Sequence, residues 1–112
     1  MTSQDELLFK KQALYQTLAS IPAGYVISYG QLAKMAGLGN AARWVGRELG
    51  KLPEGTTLPW HRVISASGRL SLSPDSPSGR LQRERLFDEG VIIDNNRVNI
   101  RRYGWPNPRS NR

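Results

Sequence analysis

The side chains able to do chemistry in this 112-residue chain are few, and their types narrow that chemistry at once. Cysteine is absent, which removes disulfides, thiolate metal sites and cysteine nucleophiles. A single histidine, His61, is too little for a transition-metal site, which draws on several imidazoles or thiolates. It stands in the run Leu58-Pro59-Trp60-His61-Arg62-Val63-Ile64, where an indole separates a proline from the only imidazole. Taken alone, an aromatic in that place reads as core. A second cluster follows helical spacing. Ala42, Gly46 and Gly50 are four residues apart and share one face, flanked by Arg43 and Arg47, also four apart. Interior glycine costs about 1 kcal/mol relative to alanine. Such a face therefore serves close approach, either to a sugar-phosphate backbone or groove wall, or to a neighbouring helix.

The arginines belong to a basic chain of formal net charge +7, unevenly spread. Residues 1–28 and 53–76 are each neutral, residues 29–52 carry +3 and residues 77–112 carry +4. This distribution points to a polyanionic partner, of which nucleic acid is the commonest. Arg80, Arg83 and Arg85 read as a solvated helix face, with phosphate contact as the other reading. No run approaches the roughly 18 apolar residues of a membrane span, and Met1–Glu6 lacks the basic start and apolar run of a signal peptide. The expectation is a cytoplasmic, membrane-free monomer (near the nucleoid in a bacterium), with no cofactor and no metal. One domain would cover residues 1–112, with a tail frayed from about 106 to 112.

These residues must be positioned by short elements. Leu7, Leu14, Leu18 and Ile21 recur at helical spacing and predict a helix over Asp5–Ser20, ended by Pro22 and Gly24. Tyr25–Ile27 is extended. Ser28 stands three residues before Gln31, a capping-box pattern that opens a short helix from Gly30 to Ala36. A third helix spans Asn40 to Leu49, and the pair outlines a helix-turn-helix. Leu58–Ile64 reads as extended and Ala66–Arg69 as a turn. Ser73–Ser78 reads as a loop in which Ser76 caps, and Pro77 opens, a helix over Gly79–Glu89 that stops at Gly90. Val91–Ile93 and Arg97–Ile100 form a hairpin around Asp94-Asn95-Asn96.

At this point the chain resembles a known family. Pro59-Trp60-His61-Arg62-Val63 is similar to Pro-Cys-His-Arg-Val, the active-site motif of the O6-alkylguanine-DNA alkyltransferases. Ile21-Pro22, Gly24, Val26, Ser28-Tyr29 and Leu32-Ala33 resemble the family's lead into its helix-turn-helix. Ala41-Ala42-Arg43 with Val45-Gly46 resembles its recognition helix, and Glu89-Gly90 the close of the following helix. The likeness spans about residues 14 to 93. It implies a mostly α fold with short β, the winged helix-turn-helix DNA-binding domain of the alkyltransferase C-terminal half.

Trp60 stands where the family's thiolate takes the alkyl group, and an indole is no nucleophile at neutral pH. Together with Tyr103-Gly104-Trp105, which resembles a Tyr-x-Trp ending, it points to the alkyltransferase-like subgroup. That resemblance implies a non-enzymatic protein that binds duplex DNA with alkylated guanine, flips the base without repairing it, and presents it to nucleotide excision repair proteins. It implies that Arg43 is the finger that fills the vacated place in the stack, and that Ala42, Gly46, Arg47 and Asn40 share the DNA contact. Tyr29, Trp60, Val63 through its carbonyl, Leu49, Pro59 and Ser76 of the 73–78 loop would form the lesion pocket. His61 and Glu89 would keep a mutual hydrogen bond as scaffold. Leu52 replaces the family's asparagine hinge, and the 73–78 loop is two residues longer than in the repair enzymes. Two other readings remain open from sequence: a transferase with His61 as acceptor, and a winged-helix regulator without lesion specificity.

Overall fold

The structure, a computed structural model, describes residues 2–106. Helix α1 spans Ser3–Ala19, starting before the expected Asp5 because Thr2 caps it. Thr2 Oγ1 accepts from the Asp5 N–H at 3.1 Å, and the Asp5 carboxylate accepts from the Thr2 N–H at 3.2 Å. This reciprocal box satisfies two donors the helix end would otherwise orphan. Leu14 and Leu18 bury completely, but Leu7, Leu8 and Phe9 are exposed, so the expected apolar stripe reaches the core only through its C-terminal half.

Ser28 caps α2 (Tyr29–Met35), its hydroxyl accepting from the Gln31 N–H at 3.1 Å. The reciprocal bond from the Gln31 side chain is absent among the described residues, so the expected box is half made. Helix α3 spans Ala42–Gly50; it begins two residues after the expected Asn40, behind an N-cap, Ala41, that offers no side-chain acceptor. The two helices pack on each other and on α1 around Leu14, Leu18, Ile21, Ile27, Leu32, Ala33, Val45 and Val63. Glu48 is buried on α3 and is reached by Lys51 at 3.1 Å and by Lys11 of α1 at 3.5 Å, tying the two helices together. The small-residue face of α3 lies along α2. A Cβ on Gly30 would stand 4.0 Å from Ala42 Cβ, and one on Gly46 would stand 3.9 Å from the Tyr29 ring, whereas Gly50 faces open space. Of the two readings of this face, helix packing accounts for Ala42 and Gly46.

The segment after α3 does not run extended as expected. A single 3₁₀ turn covers Trp60–Arg62, and only Val63–Ile64 (β2) is strand. It pairs in parallel with β1 (Ile27–Ser28), Ile27 opposite Val63 and Ser28 opposite Ile64. Periodicity carries no signal for a two-residue parallel pair, yet this pair sets Tyr29, the next residue, beside the 60–63 segment. Helix α4 spans Pro77–Asp88, capped by Ser76 with Pro77 in its first turn, as the sequence implies, and Gly90 follows with φ +84°. Strands β3 (Ile93–Asp94) and β4 (Arg97–Val98) form the antiparallel wing. Asn95 and Asn96 turn it at φ 53° and 61°, the left-handed pair that two-residue hairpins favour. The second strand is shorter than expected, because Asn99 accepts from the Arg101 N–H at 3.0 Å and starts a short helix α5, Ile100–Tyr103.

A second core of Val26, Ile64, Leu70, Leu86, Val91, Val98 and Tyr103 sits under the wing. Trp105, half-buried, packs back on the first core. The tail from Asn107 to Arg112 lies outside the described residues. Among those residues no helix is long and apolar enough to cross a membrane, and no group of acidic or imidazole side chains has the makings of a metal site.

Candidate functional site

A cavity of about 440 Å³ opens between α3, the 3₁₀ turn and α4. This is within the roughly 300–1,000 Å³ of small-molecule sites. Trp60, Tyr29, Val63 and Leu49 stand together on its wall with Gly46. Each is placed by a different local device: Tyr29 by the Ser28 cap, Leu49 by the last turn of α3, and Trp60 and Val63 by the turn into β2. The Tyr29 hydroxyl lies 3.1 Å from Ser71 Oγ. Leu52 is half-buried on the same wall.

Two expected pocket residues are elsewhere. Pro59 is buried outside the cavity wall, where it precedes the 3₁₀ turn and its carbonyl accepts from the Arg62 N–H at 3.1 Å. Ser76 spends its hydroxyl on α4, accepting from the Gly79 N–H at 2.9 Å and donating to the Ser73 carbonyl at 2.8 Å. The loop meets the cavity through Pro77 and Ser78 instead. Gly79 lets this lip fold, since a Cβ there would lie 1.8 Å from the Ser73 carbonyl oxygen.

The Val63 carbonyl already accepts from Gln82 Nε2 at 3.2 Å, and the His61 carbonyl from the same nitrogen at 3.3 Å. A carbonyl has two lone pairs, so the Gln82 bond alone does not saturate Val63. Gln82 and Arg85 of α4 line the cavity; the sequence gives no role to Gln82 and none in the pocket to Arg85. The Arg80–Arg85 series is not a uniform solvated face. Arg80 donates to the Asp75 carbonyl at 2.9 Å. Arg83 ties the Gly79 and Leu72 carbonyls to the Asn96 side chain, and Arg85 lies over Trp60 with its guanidinium carbon 5.7 Å from the ring centroid. Helical spacing places these arginines on α4, but what each meets depends on loops that the spacing does not describe.

Behind the cavity, Glu89 gathers four donors' worth of polar contact. His61 Nε2 lies 2.7 Å away, Arg62 Nη2 2.6 Å, Arg62 Nε 3.0 Å and the Gly24 N–H 3.1 Å. Arg62 Nη1 also donates to the Ile21 carbonyl at 2.7 Å, so Arg62, unassigned from sequence, is the strongest member of the network. Burial raises the Glu89 pKa, but the hydrogen bonds from Arg62, His61 and Gly24 outweigh it and hold the carboxyl at about 2. An ionised carboxylate only accepts, so His61 Nε2 must be the donor. Burial, aided by the Arg62 and Arg85 charges against the pull of Glu89, lowers the His61 pKa and keeps the ring neutral. Its remaining nitrogen, Nδ1, is buried without a partner among the described residues. With one nitrogen held by Glu89 and the other enclosed, His61 presents no accessible lone pair to an alkyl group. The geometry thus disfavours the His61-acceptor reading.

Asn40, Ala42, Arg43 and Arg47 line a separate cleft with Lys10 and Trp44. Helix α3 therefore serves two surfaces, offering Gly46, Leu49 and Gly50 to the cavity and its arginines to the cleft. Arg43 and Arg47 are exposed and make no ion pair or side-chain hydrogen bond among the described residues.

Comparison with known proteins agrees with this arrangement. Residues 10–91 match the family described as 6-O-methylguanine DNA methyltransferase, DNA binding domain. The chain is 46% identical over 95 residues to the DNA base-flipping protein of Escherichia coli, covering 84% of this chain and 72% of that protein. It is 35% identical over 97 residues to alkyltransferase-like protein 1 of Schizosaccharomyces pombe, covering 82% and 90%. The crystal structure of S. pombe Atl1 in complex with damaged DNA containing O6-carboxymethylguanine superposes with a TM-score of 0.79 at 33% identity, over 94% of this chain and 98% of that one. With Trp60 in the active-site motif and no cysteine anywhere, the chain belongs to the O6-alkylguanine-DNA alkyltransferase family as a non-enzymatic, alkyltransferase-like member.

Proposed function

We propose that this protein binds duplex DNA containing O6-alkylguanine, turns the damaged nucleotide out of the stack into the cavity and holds it there unrepaired. Acting as a cytoplasmic monomer, it then marks the site for nucleotide excision repair proteins. The observation that carries the reading is the cavity wall itself. Trp60 replaces the thiolate acceptor at the spot where the family's chemistry happens, while the polar network behind it is intact. The base-flipping name of the E. coli relative and the damaged-DNA complex of the S. pombe protein support it.

The physical sequence is short. Basic α3 meets the backbone through Arg47, and Arg43 enters the stack as the base leaves. Extrusion costs a few kcal/mol, least for a damaged pair. The cavity offsets that cost by stacking on Trp60 and Tyr29, and the Val63 carbonyl accepts from the exocyclic amine. Titrating a duplex with and without one O6-methylguanine at fixed salt tests this. The lesion duplex should bind at least about tenfold more tightly, which is about 1.4 kcal/mol, and Trp60→Ala should cost roughly 1–3 kcal/mol more on it than on the control. Mass spectrometry afterwards should show no added methyl on the protein. Equal affinity for both duplexes would leave a winged-helix DNA binder without lesion specificity. A methyl adduct on the protein would make it a transferase.

A further inference from the structure

Arg85 projects from α4 into the cavity wall, half-buried, with its guanidinium over the Trp60 ring. Its neighbours Arg80 and Arg83 direct their donors to backbone carbonyls and Asn96, whereas the Arg85 side chain makes no hydrogen bond or ion pair among the described residues. Among the described residues it is the only cation lining the cavity. The one other charged residue there, Glu54, is exposed on the 52–56 loop, where water screens it. A guanidinium presents five donors in a rigid fork suited to a carboxylate, and a cation–π contact with the indole leaves those donors unused.

We infer that Arg85 determines which adducts this protein prefers, favouring O6-alkyl groups that end in an anion, a carboxylate above all, over neutral groups of the same shape. The inference rests on the lesion-binding reading above. In the family the residue at position 60 meets the alkyl carbon, so in this chain the alkyl group lies against Trp60. Whatever that group carries beyond its first carbon then meets the guanidinium on the same ring. A neutral extension would strip water from the guanidinium and return no hydrogen bond, whereas a carboxylate replaces that water with a charge-assisted pair.

Four duplexes that differ only at one base separate the possibilities: guanine, O6-methylguanine, O6-carboxymethylguanine and its uncharged isostere O6-carbamoylmethylguanine. Affinities are read by fluorescence anisotropy at fixed salt. The full chain should prefer carboxymethyl over carbamoylmethyl by about tenfold. The ratio should fall to about one in Arg85→Gln, persist in part in Arg85→Lys, and fall below one in Arg85→Glu. A wild-type ratio near one overturns the inference with no variant needed. So does a ratio that Arg85→Gln leaves unchanged, which would make Arg85 packing for Trp60 alone. The methyl and guanine duplexes test the underlying reading separately. A tenfold preference for methyl with no preference between the isosteres removes only the role of Arg85, whereas no preference for any lesion over guanine removes both.

Discussion

Arg43 and Arg47 are the same residue type, one helical turn apart and both exposed, yet the proposed function gives them different work. A wedge residue is coupled to extrusion, because it stabilises the distorted duplex by filling the space the base has left. A phosphate contact is indifferent to the lesion and contributes through counterion release. Arg43→Ala should therefore weaken binding to the lesion duplex more than to the control, and lower the fluorescence of a 2-aminopurine placed beside the lesion. Arg47→Ala should weaken both duplexes alike, leave that fluorescence unchanged in the saturated complex and reduce the salt slope by about one. Identical behaviour of the two variants would remove the finger role from Arg43. Sequence spacing places the pair on one helix, but their separation from the cavity wall is visible only in the folded chain.

At the scale of elements, Glu89 is where the helix-turn-helix half meets the wing half, since its partners come from the α1–β1 connection and the 3₁₀ turn. Its carboxyl sits at about 2 against an ordinary value of 4.5. A depressed carboxylate contributes stability that is complete above the unfolded pKa and is lost as pH falls through the folded one. The network should therefore hold its full value above about pH 4.5 and lose it toward pH 2, a contribution on the order of 2–3 kcal/mol. Glu89→Gln leaves Arg62 largely buried without its counter-charge and should cost about 3 kcal/mol near neutrality. Urea unfolding at pH 7, 5 and 3 checks this: the gap between the two proteins should be constant from pH 7 to 5 and narrow by pH 3. A gap that stays the same at all three values would mean that shape, not charge, is what Glu89 supplies.

For the whole molecule, the excess charge lies in two blocks, residues 29–52 and 77–112, that between them carry the net +7. The first block includes the arginines of the cleft, and the second includes Arg85 of the cavity. Phosphate contacts make affinity fall steeply with salt, but a neutral adduct in the cavity adds contacts that are not ionic. Raising salt from about 50 to 200 mM should thus cut the affinity for control and O6-methylguanine duplexes by the same factor, with their ratio nearly constant. A ratio that drifts toward one with salt would place the discrimination in the backbone contacts and not in the cavity.

What the sequence determines by itself is local and covalent. The missing cysteine, the Trp60 substitution, the caps at Ser28 and Ser76, the turn at Asn95-Asn96 and the stop at Gly90 depend on residue identity or on neighbours a few positions away. The cavity walls at Tyr29, Leu49, Trp60 and Val63 were legible too, but only through a motif whose order stands in for geometry. The tertiary structure alone decided the rest. The parallel pairing of β1 with β2 joins segments 36 residues apart. Ser76 faces its own helix and not the cavity, and the small face of α3 meets α2 at Ala42 and Gly46 while Gly50 stays open. Arg62 outranks His61 as the partner of Glu89, and Arg85 turns from an assumed solvent face onto Trp60. In each case the outcome turns on which distant group arrives within about 3–6 Å, the range over which hydrogen bonds and cation–π contacts act. Periodicity along the chain carries no information about that distance.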